Sequence, residues 1–143
     1  MRKNFDDVRE LHESFAIAVN DTPHLLCRRL AQERIDFIGE ELDELYDAMS
    51  ADDINEIADA LIDIVVVAMG TAAMMGLPWQ ELWDDVHRAN MAKERGVGKR
   101  GNAVDLIKPE GWVPPHTRDI LQEAGYNFDN PPEPHDDRRT KIS

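Results

Sequence analysis

The chain is poor in cysteine. Cys27 stands alone among 143 residues, so no intrachain disulfide holds the fold, and a reducing, cytoplasmic setting is the expected one. Positive charge is scarce as well. Sixteen Lys and Arg stand against 29 Asp and Glu, for a net charge of −13, which argues against nonspecific binding to nucleic acid. Long apolar runs are missing. Residues 64–77 carry no charge, but they are too few to span a bilayer, and Asp59 and Asp63 block their extension. They read as a core helix, not as a membrane anchor. The opening residues MRKNFDDVRE lack the apolar segment of a signal peptide. Paired Glu-x-x-His motifs, which a di-iron carboxylate bundle requires, are missing too; Asp84-x-x-His87 is the nearest approach. No internal repeat is present.

What is abundant is carboxylate, and it is patterned. Residues 39–63 read GEELDELYDAMSADDINEIADALID. They hold two motifs, Glu40-Glu41-x-x-Glu44 and Glu56-x-x-Asp59, with Asp63 one turn further on. Positions three and four apart share a helix face, so Glu41 stacks with Glu44, and Glu56 with Asp59 and Asp63. Between the motifs, Ser50-Ala51-Asp52-Asp53 breaks the helix. Ser50 with Asp53 three residues on has the form of a capping box. A break that short returns the chain antiparallel and brings the two acidic faces together.

These acids do not lie on a purely wet face. On the first helix, Ile35, Ile38, Leu42, Leu45 and Met49 form an apolar stripe, and Leu30, Phe37, Glu41, Glu44 and Ala48 form the stripe beside it. On the second, Asp59 and Asp63 interrupt the apolar run of Ile54, Ile57, Ala58, Leu61, Val65 and Ala68. Carboxylates crowded at the edge of a core repel one another and are costly to desolvate, so they take up protons or hold cations. Oxygen donors without His or Cys suit magnesium (Mg2+), with manganese (Mn2+) as the alternative. The plainer reading, a solvated acid on an acidic protein, fits Asp36, Asp43, Asp47, Asp52 and Asp53.

Helical spacing of Val8, Leu11 and Phe15 predicts a short first helix over 6–15. Longer helices are expected over 24–49, 53–75 and 78–93, and a short last one over 117–124. Gly76 and Pro78 end the third, and Gly70, Thr71, Ala72 and Ala73 permit close helix contact. Trp79, Leu82, Trp83 and Val86 are the expected packing residues of the fourth. The fold class is all-α, of four-helix-bundle type, with one domain over 1–125 and a flexible tail over 126–143, marked by PPEP and DDRR. The third helix is apolar around too much of its circumference for a lone bundle. A second copy is expected to complete the core, as a homodimer or a dimer of dimers. Residues 1–86 carry 6 basic and 20 acidic side chains, whereas residues 87–108 carry 6 and 2. The loop over 94–114, with Gly96, Gly98, Gly101 and Gly111 among its basic residues, therefore suits a lid over phosphates. A solvated loop accounts equally well for Arg95, Lys99 and Arg100.

The acidic motifs are followed by Val86-His87-Arg88-Ala89-Asn90-Met91-Ala92-Lys93 and Lys108-Pro109-Glu110-Gly111-Trp112. In that order they resemble the all-α NTP pyrophosphatases, the superfamily of MazG, the dimeric dUTPases and the phosphoribosyl-ATP pyrophosphohydrolases. Within it, the nearest likeness is to the MazG-like branch with dUTPase-type activity, over roughly residues 8–121. The resemblance implies metal-dependent cleavage of a nucleoside triphosphate between the α and β phosphates, giving the monophosphate and pyrophosphate. Deoxynucleotides such as dUTP and dGTP are the nearest candidates. Glu41, Glu44, Glu56 and Asp59 carry over as metal ligands. Glu40 carries over as a further ligand or as a water-orienting base, which makes Glu40 and Glu41 the candidate catalytic pair. Asn90, Lys93, Lys108 and Trp112 are the expected substrate contacts. His12, Phe15 and Asn20 are candidates for a base pocket; in the alternative, Phe15 is core and His12 is on the surface. Asp63 lies outside the motif, and its role is open. The rival reading is a non-catalytic helical module that binds nucleotide or metal. It explains the amphipathic helices but not the half-buried acids or the basic loop.

Overall fold

The computed structural model describes residues 1–97 and 104–138; Gly98, Lys99, Arg100 and Gly101 of the expected loop lie outside the described residues. The elements in chain order are α1 (Asn4–Ser14), α2 (Arg28–Ser50), α3 (Ile54–Met74), α4 (Trp79–Met91), β1 (Glu94–Gly96), β2 (Asp105–Ile107) and α5 (Thr117–Glu123). Among the described residues the fold is all-α apart from one small antiparallel hairpin. The chain divides into two compact units, Met1–Leu77 with Tyr126–Ser143, and Pro78–Gly125.

The first unit is built on the α2–α3 hairpin. Asp53 caps α3, its side chain accepting from the backbone N–H groups of Asn55 and Glu56 at 3.1 and 3.2 Å. Ser50 is not part of that cap; it remains the last residue of α2. Asp52 adopts a left-handed φ of 51°, and this turn places Asp53 directly before the new helix.

The two stripes of α2 meet different surroundings. Leu30 and Ala48, on the stripe that also carries Glu41 and Glu44, are buried. Ile35, Leu42 and Met49 of the purely apolar stripe are exposed. On α3 the C-terminal half is the buried part, through Val67, Met69, Gly70, Ala72, Ala73 and Met74. Its N-terminal half is open, with Ile54 82% and Ile62 64% exposed. By length and composition α3 could cross a membrane; in this chain its C-terminal half packs as a core helix.

α1 packs on α3 through His12, at the one place where α3 has no side chain. A methyl group on Gly70 would lie 2.6 Å from His12 Nε2 and 2.9 Å from Arg34 Nη2. The connector after α1 closes the C-terminus of α3. The Asn20 backbone N–H donates to Ala73 O, its Nδ2 donates to Met74 O, and the His24 N–H donates to Met75 O. Asn20 is thus used as a cap for α3.

α2 begins four residues later than its periodicity suggests. Leu26 pairs in parallel with His135. The Cys27 N–H donates to His135 O at 2.8 Å, and the His135 N–H donates to Leu25 O at 2.7 Å. This strand-like pairing satisfies backbone groups that another helical turn would have used. Arg29 adds ion pairs to Glu33, Asp136 and Asp137. Part of the stretch expected as a tail is therefore tied to the start of α2 within the first unit.

In the second unit, β1 and β2 pair with Glu94 opposite Ile107 and Gly96 opposite Asp105. Trp112 Nε1 donates to Ala89 O at 2.7 Å, and Arg88 donates to Val113 O and Pro114 O. Asp85 accepts from Arg88 Nε and from the His116 N–H, bonds that hold its carboxyl below the ordinary aspartate range. Trp79 and Trp83 lie 6.3 Å apart, while Trp83 and Val86 are exposed rather than packed away.

Candidate metal centre

The antiparallel α2–α3 hairpin brings carboxylates of Glu41, Glu44 and Asp63 together. One oxygen from each lies within 4.8 Å of the others. Beside them opens a cleft of about 490 Å³, lined by Glu44, Asp47, Asp53, Glu56, Asp59 and Asp63. Of the expected ligands, Glu41 and Glu44 belong to the tight cluster. Glu56 and Asp59 line the adjoining cleft without joining that cluster. Asp63 completes it. The sequence signal for Asp63 was its place one turn beyond Asp59, on the face that α3 turns to α2.

Glu41 is the strained member. Its Oε2 is enclosed and has no hydrogen-bond partner among the described residues. Burial pushes its carboxyl above the ordinary glutamate range, and the charges of Glu44, Asp63 and Glu40 push it further. Glu40 itself is exposed. An enclosed, unpartnered carboxylate oxygen among like charges is what a hard cation relieves. The donors present, all oxygen, fit a divalent ion of the magnesium type.

The second unit gathers the expected substrate contacts. Lys93 precedes β1 and Lys108 follows β2, so the antiparallel register brings these two sequence-distant residues together. Their Nζ atoms lie 5.5 and 5.0 Å from the centre of the Trp112 ring. Among the described residues neither has a carboxylate partner. Asn90 is exposed in the last turn of α4, and its carbonyl accepts from the Lys93 N–H.

His12 and Phe15 are not brought together. His12 is buried, with Nδ1 3.1 Å from Ala18 O. Phe15 is 71% exposed and borders a separate cleft with Asp7, Glu10, Leu11 and Ser14. This reverses the alternative of a core phenylalanine and a surface histidine. α1 ends at Ser14, and Ala16 turns with a φ of 56°. Phe15 is left on that turn, off the face that packs on α3.

The sequence profile of the phosphoribosyl-ATP pyrophosphohydrolase family matches residues 8–90. The chain belongs to that family. It is thereby a member of the all-α NTP pyrophosphatase superfamily and a pyrophosphohydrolase acting on a nucleotide. The family generally uses divalent metals, in keeping with the acidic cluster. The match takes in every carboxylate of the cleft and stops short of Lys93. No curated protein matches the chain.

Proposed function

We propose that this pyrophosphohydrolase cleaves a nucleoside triphosphate between the α and β phosphates, with a deoxynucleotide such as dUTP or dGTP as substrate. The observation that carries this reading is the Glu41–Glu44–Asp63 cluster with its unpartnered Glu41 oxygen, in a chain of this family. Glu41, Glu44 and Asp63, with Glu56 and Asp59 from the adjoining cleft, would hold magnesium or manganese. An ion held there would supply countercharge to the carboxylates and would polarise a phosphate oxygen. Glu40, exposed beside Glu41, would take the proton of an attacking water. The family resemblance also implies Lys93, Lys108, Trp112 and Asn90 as contacts to the substrate, the lysines to its phosphates. Release of pyrophosphate is to be measured across the canonical NTPs and dNTPs plus dUTP, with and without magnesium. Metal-dependent release of pyrophosphate with a monophosphate is the expected result. Tight magnesium-dependent binding without turnover would instead favour the non-catalytic module.

The exposed apolar stripes of α2 and α3 support a homo-oligomer, a dimer at least. Burying them would remove Ile35, Leu42, Ile54 and Ile62 from water, at about 1.5–3 kcal/mol for each side chain fully covered. Light scattering at micromolar concentration should give at least twice the chain mass of 16.3 kDa; a mass of one chain would refute the dimer.

A further inference from the structure

Arg34 sits on α2 seven residues before Glu41, on the same face and about 10 Å further along the helix axis. Its side chain crosses to α3. There Nε donates to Thr71 Oγ1 and Nη2 to Val67 O, each at 3.0 Å. The Thr71 hydroxyl donates to the same carbonyl at 2.8 Å. Nη2 and His12 Nε2 converge over the bare backbone of Gly70. The guanidinium also lies 5.4 Å from the centre of the Phe37 ring, which is itself exposed.

The chain offers 29 carboxylates, yet among the described residues none pairs with this arginine. A guanidinium carries five N–H donors, and α3 takes up two of them. A glutamine could hold two such acceptors without desolvating a charge, which is costly when no counter-charge is at hand. Burial already lowers the pKa of Arg34 below the ordinary arginine value. What distinguishes arginine here is the set of N–H groups left over, beside an exposed aromatic face, two turns along from the acidic cluster.

We infer that Arg34 determines specificity, donating to a carbonyl oxygen on the base of the substrate nucleotide. The inference rests on the function proposed above. Two helical turns are comparable with the span from a reacting phosphate to the edge of its base, and Phe37 offers a surface on which that base can stack. A guanidinium only donates. It matches the oxygens of guanine, uracil and thymine and the carbonyl edge of cytosine. It opposes the amino group of adenine, donor against donor.

The test compares kcat/KM for dGTP, dUTP, dCTP and dATP in the parent chain, in Arg34→Met and in Arg34→Lys. The parent should favour at least one carbonyl base over dATP. Arg34→Met should reduce that ratio by about 10- to 100-fold, and Arg34→Lys by less. The ratio does not depend on how much protein is folded, so a purely structural arginine would leave it unmoved. A parent that prefers dATP, or a ratio unchanged in Arg34→Met, overturns the inference. Calorimetry with the four deoxynucleoside monophosphates makes the same comparison without turnover. There, selectivity in the parent that Arg34→Met loses upholds the role of Arg34 even if no triphosphate is cleaved. Equal binding of all four by the parent overturns it.

Discussion

Glu41→Gln is expected to lower turnover by about 10²-fold or more, the scale of loss when a metal-holding carboxylate is removed. Glu44→Gln and Asp63→Asn should behave alike, because one oxygen from each lies within 4.8 Å of the other two. Asp52→Asn, at the turn between the helices, serves as the comparison and should change the rate little. Stability gives a second, opposite signature. In the metal-free chain Glu41 is desolvated and faces Glu44 and Asp63, so its neutral replacement removes repulsion. Glu41→Gln should therefore melt higher than the parent without metal and gain less when magnesium is added. A variant with parental turnover and a parental response to magnesium would remove Glu41 from the metal centre. Parental turnover in Asp63→Asn alone would return the ligand set to the residues of the two motifs.

The next largest loss is expected at the two lysines beside Trp112. Removing a charge-assisted hydrogen bond costs roughly 1.5–3 kcal/mol, or about 10- to 100-fold in kcat/KM. Lys93→Met and Lys108→Met should each show it. Arg95→Met, on β1 between them in sequence, should cost almost nothing. Trp112→Phe tests the frame, since it keeps an aromatic face but loses the hydrogen bond from Nε1 to Ala89 O. A loss smaller than that of the lysine variants is expected there. Circular dichroism checks that each variant keeps its helices. Three charge variants with the kinetics of the parent would leave the phosphates to the metal centre alone.

Much of the first unit was legible because a helix is a local object. Carboxylates spaced three and four apart, and a break of a few residues, were enough to fold Glu41 and Glu44 towards α3. The finer outcome depended on contacts that spacing does not encode. Whether Asp59 or Asp63 meets Glu41 is settled by the rotation of α3 against α2, which the buried positions Ala60 and Val67 record. The start of α2 was hidden because the competitor of its first turn, His135, lies more than a hundred residues away. The β1–β2 pairing was hidden for a related reason: three residues on each side are too short to show alternation. Arg34 carried no motif at all. Among the described residues it has no carboxylate partner, and that is visible only once the neighbours are known.

The pairing of Leu26 with His135 also bears on how the chain is made. The first unit is discontinuous in sequence, with the second inserted between its helices and the segment that carries His135. During vectorial synthesis, α1, α2 and α3 emerge first and can form their local contacts. Counted from Cys27, more than a hundred residues must be added before its partner His135 leaves the ribosome. Until then the start of α2 is free to fray. Closure of so long a loop is a late step, one that local helix formation cannot accelerate.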